Sequence, residues 1–111
     1  MSIQETGWLG EMRAAAYARR QGMRVVARRF HAKNGEIDLI AQSGTTLVFI
    51  EVKNRPHGGI GEGARAVNAD KQRHVRAAAR LYLQAHPWQG DVRFDVIEIS
   101  AAGLRHIKNA F

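Results

Sequence analysis

The sequence predicts an α/β or α+β domain in which a central mixed sheet of five strands is flanked by helices, in the order α-β-β-β-α-β-β. Two segments repeat apolar residues at helical spacing, and the segments between and after them alternate apolar and polar residues as strands do. The chain has 111 residues, 45% of them hydrophobic, which suits one domain with its own core. We therefore expect a single domain over residues 1–111. Periodicity alone does not separate the two fold classes.

The N-terminal third predicts one helix and one strand. Trp8 to Gln21 is rich in alanine and is followed by Gly22, a residue typical of the position just past a helix end. Met23 to Phe30 has the character of a strand, although its arginines interrupt the alternation.

The middle of the chain predicts a hairpin followed by a loop. Glu36 to Gln42 and Thr46 to Asn54 are the clearest strands in the sequence, and we expect them to be joined across Ser43 and Gly44. The segment 56–63 contains four glycines and a proline, which predicts an open loop.

The last third predicts a helix and two strands. Asn68 is of a type that caps helices, and apolar residues recur at helical spacing from there to about Ala85, shortly before Pro87. Asp91 to Ser100 predicts a third strong strand, and Leu104 to Lys108 predicts a short last one.

Composition and charge exclude several classes of protein. The absence of cysteine excludes a disulfide scaffold and a thiolate zinc site. No apolar run approaches the roughly 20 residues of a membrane span, and the N-terminus lacks the basic residues of a secretory signal, so we expect a cytoplasmic protein without a membrane partner. Seventeen Lys and Arg, thirteen of them Arg, against ten Asp and Glu give a net charge of +7. This excess favours an anionic partner such as nucleic acid, because guanidinium groups suit phosphate.

The predicted hairpin gathers charged side chains. Residues two apart on a strand share a face, which groups Glu36 with Asp38 and Glu51 with Lys53. A hairpin loop with an even number of residues puts all four on one face. An odd number would bury charge against the core, so the even case is favoured.

Two registers of the hairpin satisfy this condition. A two-residue loop at 43–44 places Asp38 opposite Phe49 and diagonal to Glu51, whereas a four-residue loop at 43–46 places Asp38 directly opposite Glu51. In both registers the other face of the hairpin is apolar. Its members are Ile37, Leu39, Ala41, Val48, Ile50 and Val52.

The charged face has two interpretations. It is either a solvated surface, as on many hairpins, or a site in which a cation neutralises crowded carboxylates. Leu47 and Phe49 share this face, which indicates that part of it is covered. Two carboxylates can hold Mg²⁺ or Mn²⁺, with Glu36 as a further candidate ligand, and such an ion activates water and polarises a phosphoryl oxygen. Lys53 can stabilise the charge that develops on the phosphate, so the pattern predicts hydrolysis of a phosphodiester.

The wider pattern resembles a known family. Asp38, twelve intervening residues and then Glu51-Val52-Lys53 are similar to the Asp…Glu-x-Lys signature of the PD-(D/E)XK nuclease superfamily, whose fold is called restriction-endonuclease-like. Four segments together resemble the YraN-like family of small uncharacterised bacterial proteins, which is assigned to that fold. The segments are 35–40 (GEIDLI), 49–55 (FIEVKNR), 93–97 (RFDVI) and 109–111 (NAF), and the resemblance covers essentially the whole chain.

The resemblance implies roles for the matching residues. Asp38 and Glu51 would be metal ligands, with the Val52 carbonyl as a candidate third, and Lys53 would be the catalytic lysine. The resemblance also implies a role for a glutamate on the first helix, which matches Glu11. Helical spacing leaves two interpretations of this residue: it is exposed on a poorly amphipathic helix, or small alanines let the helix approach the sheet so that the glutamate reaches the site.

Basic residues are candidates for contact with nucleic acid. Lys71 lies within the packing stripe of the second helix, where it either extends to water or contacts a substrate phosphate. Arg73, Arg76 and Arg80 lie on the opposite side of that helix and form either a solvated face or a stripe that follows a nucleic-acid backbone. Arg55, just beyond the Glu-x-Lys motif, is a further candidate.

These observations together favour an endonuclease that depends on Mg²⁺ or Mn²⁺ and acts on DNA, including branched or structured DNA. RNA stays open as an alternative substrate, and a homodimer is compatible with cutting two strands. Two other functions stay open: a noncatalytic module that binds nucleic acid, and an adaptor whose basic surface meets an acidic protein.

Overall fold

The computed structural model describes residues 3–55 and 67–111, and its helices and strands follow the predicted order. They are α1 (Ile3–Arg20), β1 (Arg24–Ala32), β2 (Gly35–Ser43), β3 (Thr46–Arg55), α2 (Ala69–Ala85), β4 (Asp91–Ser100) and β5 (Gly103–Ile107). The loop predicted at 56–63 lies outside the described residues. The predicted bounds of β4 are confirmed without a shift.

The start of α1 is the largest difference from the predicted bounds. The helix begins at Ile3, whereas the sequence pattern predicts a start at Trp8. The residues before Trp8 are mostly polar and have no helical apolar period, so the pattern contains no start signal there. The helix end agrees with the prediction, because Gly22 follows it with a φ of 86°, a left-handed conformation that glycine adopts without steric cost.

The strands form one mixed sheet in the order β1-β2-β3-β4-β5. The first three strands are an antiparallel meander, β3 and β4 run parallel from the pair Thr46↔Asp91 to the pair Arg55↔Ser100, and β5 is antiparallel to β4. Parallel neighbours need a crossover connection, and α2 lies in the one that joins β3 to β4. The strand that carries the Glu-x-Lys motif is therefore central in the sheet.

A helix covers each face of the sheet. The core under α1 consists of Ala14, Ala15, Ala18, Met23, Leu39, Ala41, Val48, Ile50, Ile97 and Ile99. The core under α2 consists of Ile37, Ile40, Leu47, Phe49, Val75, Ala78, Ala79 and Tyr82. Alanine side chains let α1 approach the sheet closely, and β3 contributes to both cores. No helix within residues 3–55 or 67–111 is long and apolar enough to cross a membrane.

The apolar face predicted for the hairpin is confirmed except at Ile37. This residue packs under α2 together with Ile40, although the two are three positions apart and regular alternation would separate them. The physical reason lies in the neighbouring strand. Arg29 has a φ of 52° and stands between the pairs Arg28↔Leu39 and Phe30↔Ile37, so the pleat is interrupted at this position.

A buried polar network joins α1, β4 and β5. Asp95 is 0% exposed and accepts hydrogen bonds from Arg93 at 2.8 and 2.9 Å. Asp95 Oδ2 also lies 2.6 Å from His106 Nε2. On the other side of the imidazole ring, Tyr17 Oη lies 3.1 Å from His106 Nδ1. The backbone N–H of Asn109 also donates to Asp95, at 3.1 Å. The network therefore ties the C-terminal strand to both the sheet and the first helix.

Replacement of Asp95 by alanine is expected to destabilise the protein by about 3–5 kcal/mol, because it leaves the half-buried Arg93 and the buried His106 without their partner. Urea unfolding followed by circular dichroism measures this, with Asp91→Ala at the exposed start of β4 as the control. Burial alone would raise the pKa of Asp95, but hydrogen bonds from His106 and Arg93 hold it below its ordinary value. The stabilisation that comes from the lowered pKa of Asp95 is therefore fully present above the ordinary carboxyl pKa. It is lost as the pH falls through the lower pKa that Asp95 has in the folded protein. Equal unfolding midpoints for the two variants would contradict the prediction.

Candidate active site

The register of the hairpin brings Asp38 and Glu51 together. The pairs of β2 and β3 run from Ser43↔Thr46 to Leu39↔Ile50, the residues next to Asp38 and Glu51. Beyond this last pair, Asp38 is within hydrogen-bond reach of the Glu51 side chain and of the Val52 N–H. This is the alignment that the four-residue loop predicts, and it excludes the alternative in which Asp38 faces Phe49. The turn itself consists of Gly44 and Thr45, because Ser43 and Thr46 pair across it. It is therefore shorter than the four-residue loop, and the predicted connection across Ser43 and Gly44 is wrong by one residue.

Glu51 is buried on the α2 face of the sheet. Its neighbours Val48, Ile50 and Val52 pack under α1, so alternation directs Glu51 to the opposite side, where it is 2% exposed. Asp38 reaches the same place, and its Oδ2 accepts a hydrogen bond from the Val52 N–H at 2.8 Å. At Asp38 and Glu51, the charged face of the hairpin is therefore not a solvated surface.

The surroundings of Asp38 change its protonation. Burial, a hydrogen bond to Glu51 and the charge of Glu51, in that order, raise the pKa of Asp38 to about 7. The Val52 N–H and the charge of Lys71 oppose this shift without cancelling it. A proton therefore neutralises part of the pair's charge near neutral pH, which a divalent cation could do instead.

Lys71 belongs to this site. Its Nζ lies 3.0 Å from Glu51 Oε2. Asn68 Oδ1 accepts the Lys71 backbone N–H at 2.9 Å, so the N-cap of α2 fixes the turn from which the side chain extends. Burial lowers the pKa of Lys71, but its hydrogen bond to Glu51 and the nearby carboxylates outweigh this and raise it. The interpretation in which this lysine simply extends to water therefore does not fit.

Glu11 is buried and paired on the other side of the sheet. It is 6% exposed, and its Oε2 accepts a hydrogen bond from Arg29 Nε at 2.9 Å, so the exposed interpretation of this residue is wrong. The neighbours of Arg29 in β1 pair with Leu39 and Ile37, the residues on either side of Asp38, so Arg29 links Glu11 to the part of β2 that carries Asp38. A direct role of Glu11 at a metal stays a prediction.

Two acidic oxygens stand out among the described residues. Glu51 Oε1 and Glu11 Oε1 are both buried and have no hydrogen-bond partner there. A buried carboxylate oxygen without a partner carries a large desolvation cost, which a bound cation would offset.

The remaining candidates on the hairpin lie at the margin of the carboxyl pair. Lys53 is half-buried and two residues beyond Glu51, so it shares the α2 face of β3. Glu36 is exposed, and its Oε2 lies 3.2 Å from His31 Nδ1. The charge of Glu36 nevertheless contributes to the raised pKa of Lys71. Glu36 is therefore a weaker candidate ligand than the two buried acids.

The arginine candidates separate into different environments. Arg73 forms an ion pair with Asp70, one turn along the same helix. The guanidinium of Arg76 lies 5.8 Å from the ring centre of Phe94 and 5.5 Å from that of Phe111, a cation–π arrangement. Together with Arg80, these two arginines line a groove of about 600 Å³ beside α2. The side chain of Arg55 lies outside the described part of the chain.

The donor set indicates which metals the site suits. Among the described residues, no group of three or more His, Cys, Asp or Glu side chains is arranged to hold a metal ion. The pair of Asp38 and Glu51 supplies only hard oxygen ligands, and Mg²⁺ is commonly held by one or two carboxylates with waters and substrate phosphates completing its shell. The unpartnered Oε1 of Glu51 fits such an ion.

Comparison with known proteins places the chain in a family. Residues 10–99 match the profile of a family described as "Uncharacterised protein family UPF0102". A UPF0102 protein of Herminiimonas arsenicoxydans is 41% identical over 107 residues, which are 96% of this chain and 86% of the relative. A second, from Dechloromonas aromatica, is 43% identical over 101 residues, or 91% of this chain and 83% of the relative. The chain therefore belongs to the UPF0102 family, the YraN-like family that its sequence motifs resemble.

Proposed function

We propose that the protein is an endonuclease that depends on Mg²⁺ or Mn²⁺ and hydrolyses phosphodiester bonds in DNA. The observation that carries the proposal is the pair of half-buried Asp38 and buried Glu51, in which Glu51 Oε1 is enclosed without a hydrogen-bond partner among the described residues. The basic character of the chain, with a net charge of +7, supports a polyanionic substrate.

Asp38, Glu51 and the carbonyl of Val52 would hold the metal. A divalent ion bound there would lower the pKa of a coordinated water and polarise a phosphoryl oxygen. The other groups act on the substrate. Lys53, on the same face of β3 as Glu51, stabilises the negative charge that develops on the phosphate during attack.

The basic groove beside α2 supports a role in holding the nucleic-acid backbone. Arg80 is exposed, and it lines this groove together with Arg73 and Arg76, so three guanidinium groups face the same space. Contacts of this kind position the duplex without reading its sequence, which suits an enzyme that recognises the shape of DNA. A branched or otherwise structured DNA is therefore the substrate class that we favour.

A cleavage panel tests the proposal. Purified protein is incubated with Mn²⁺ or with chelator, on duplex, branched and single-stranded DNA and on RNA. We expect nicking or cutting of at least one DNA with metal and none with chelator. Asp38→Ala and Glu51→Ala are expected to lose this activity, whereas the matched acid variant Asp91→Ala, at the exposed start of β4, keeps it. Equal cleavage by all four proteins would assign the activity to a contaminant.

One observation favours a second candidate function, a noncatalytic module that binds nucleic acid. Lys71 and the proton on Asp38 already offset the negative charge of the carboxyl pair, so the folded protein does not require a metal to neutralise it. Such a module would bind DNA with an affinity that falls steeply with salt, by roughly 0.9 log units per tenfold salt for each phosphate contacted. It would show no cleavage on any substrate in the panel.

A further inference from the structure

The two oxygens of Glu51 have different surroundings. Oε2 lies 3.0 Å from the Lys71 ammonium, whereas Oε1 is buried and has no hydrogen-bond partner among the described residues. Glu51 itself is held rigidly, because β3 is paired on both sides and the residue is 2% exposed. The partner is less confined, since the Lys71 side chain is 32% exposed and has four rotatable bonds.

We propose that Lys71 acts as the counter-ion of Glu51 in the metal-free protein and is displaced from it when a divalent cation binds. Its ammonium is then free to contact the phosphate of the substrate. This inference rests on the proposed function, because it requires a metal at the carboxyl pair.

Electrostatic repulsion explains why the lysine would leave Glu51 when a divalent cation binds there. An ammonium and a divalent cation that share two carboxylates repel each other, and the cation carries the higher charge. Asp38 adds its own carboxyl group to the place where the cation would lie, while Lys71 contacts Glu51 alone at hydrogen-bond distance. The lysine is therefore the group that moves, and its exposed side offers it a path toward solvent and toward an approaching phosphate.

The exchange also gives the lysine two opposite effects. Before metal binding it competes with the metal for Glu51, so its removal makes the metal bind more tightly. After metal binding it faces the substrate, so its removal slows cleavage. A residue that merely supported the fold of the site would lower metal affinity and cleavage together.

Binding of Mn²⁺, measured by the electron paramagnetic resonance signal of the free ion, tests the first effect without any nucleic acid. We expect Lys71→Met to bind Mn²⁺ about tenfold more tightly than the parent protein, because a competing positive charge is gone. Lys71→Arg keeps that charge and is expected to resemble the parent. Lys33→Met, in the exposed turn between β1 and β2, is the matched control for loss of a lysine and is expected to change nothing.

The second effect is measured at saturating Mn²⁺ on the best substrate of the cleavage panel, where Lys71→Met is expected to cut at least about tenfold more slowly. Weaker or unchanged Mn²⁺ binding by Lys71→Met, in a parent that binds metal and cuts DNA, would overturn the inference and leave the proposed nuclease intact. Tighter binding with unchanged cleavage would also overturn it, because the released lysine would then have no contact with substrate. If neither protein binds Mn²⁺ at millimolar concentration, the metal site and the inference both fail.

Discussion

Asp38→Asn is expected to abolish cleavage and, at the same time, to make the metal-free protein more stable at pH 8. The amide keeps the shape of the side chain and can still accept the Val52 N–H, but it cannot serve as an anionic ligand. Loss of one of two carboxylate ligands is expected to reduce the cleavage rate by roughly two to four orders of magnitude.

The stabilisation follows from the pKa of Asp38. Burial and the proximity of Glu51 raise this pKa from 3.8 to about 7, so the folded protein favours the protonated carboxyl. The stability that this preference contributes is complete below the ordinary pKa and is lost as the pH rises through about 7. At pH 8 an uncharged amide avoids the cost of ionisation, which amounts to as much as about 4 kcal/mol for a shift of roughly three pKa units.

Urea unfolding in chelator at pH 5 and pH 8 measures this second effect. The variant is expected to exceed the parent in free energy of unfolding at pH 8 and to approach it at pH 5, where the parent's carboxyl is already protonated. Asp91→Asn removes an exposed acid and is the control, with a change within about 0.5 kcal/mol at both values. A variant less stable than the parent at pH 8 would show that the carboxyl pair is not strained in the metal-free protein.

Metal binding is expected to become tighter with rising pH and to level off above about 7. A cation competes with the proton that Asp38 carries in the metal-free protein, so each metal ion releases up to one proton below that pH. Affinity for Mn²⁺ should fall by about tenfold for each pH unit below the pKa of Asp38.

Calorimetric titrations in two buffers of different ionisation enthalpy measure the protons released. We expect close to one proton per Mn²⁺ at pH 6 and far fewer at pH 8.5. Glu36→Gln is a useful comparison, since Glu36 is exposed and paired with His31, and its loss should leave the proton release nearly unchanged. A pH-independent affinity would mean that the metal does not contact Asp38.

Local patterns predict most of the fold, because its signals are local. The ten residues of β4 are rich in β-branched and aromatic residues and lie between Gly90 and Ala101, so both bounds of that strand are predicted correctly. Asn68 and Pro87 bracket α2 in the same way. The hairpin register was reduced to two alternatives by burial alone. The choice between them depends on which residues form the turn, which alternation does not determine.

Sequence patterns predict the part of the site that strand pairing in the hairpin brings together. They do not predict the contacts that depend on how the helices pack on the sheet. Asp38 and Glu51 are neighbours through strand pairing, which a sequence pattern can indicate. The contact of Lys71 with Glu51 depends instead on which face of the sheet α2 covers, and the pairing of Glu11 with Arg29 depends on the height at which α1 crosses β1. The only sequence signal for Lys71 was its place within the packing stripe of α2.

The position of β3 between β2 and a parallel β4 has a consequence for the order in which the protein matures during synthesis. Its partner on one side is made immediately before it, but its partner on the other side spans residues 91–100 and is separated from it by a whole helix. A nascent chain therefore exposes one edge of the strand that carries Glu51 until residues 91–100 have left the ribosome. The carboxyl pair then gains its rigid frame only when β4 has been synthesised and closes that edge.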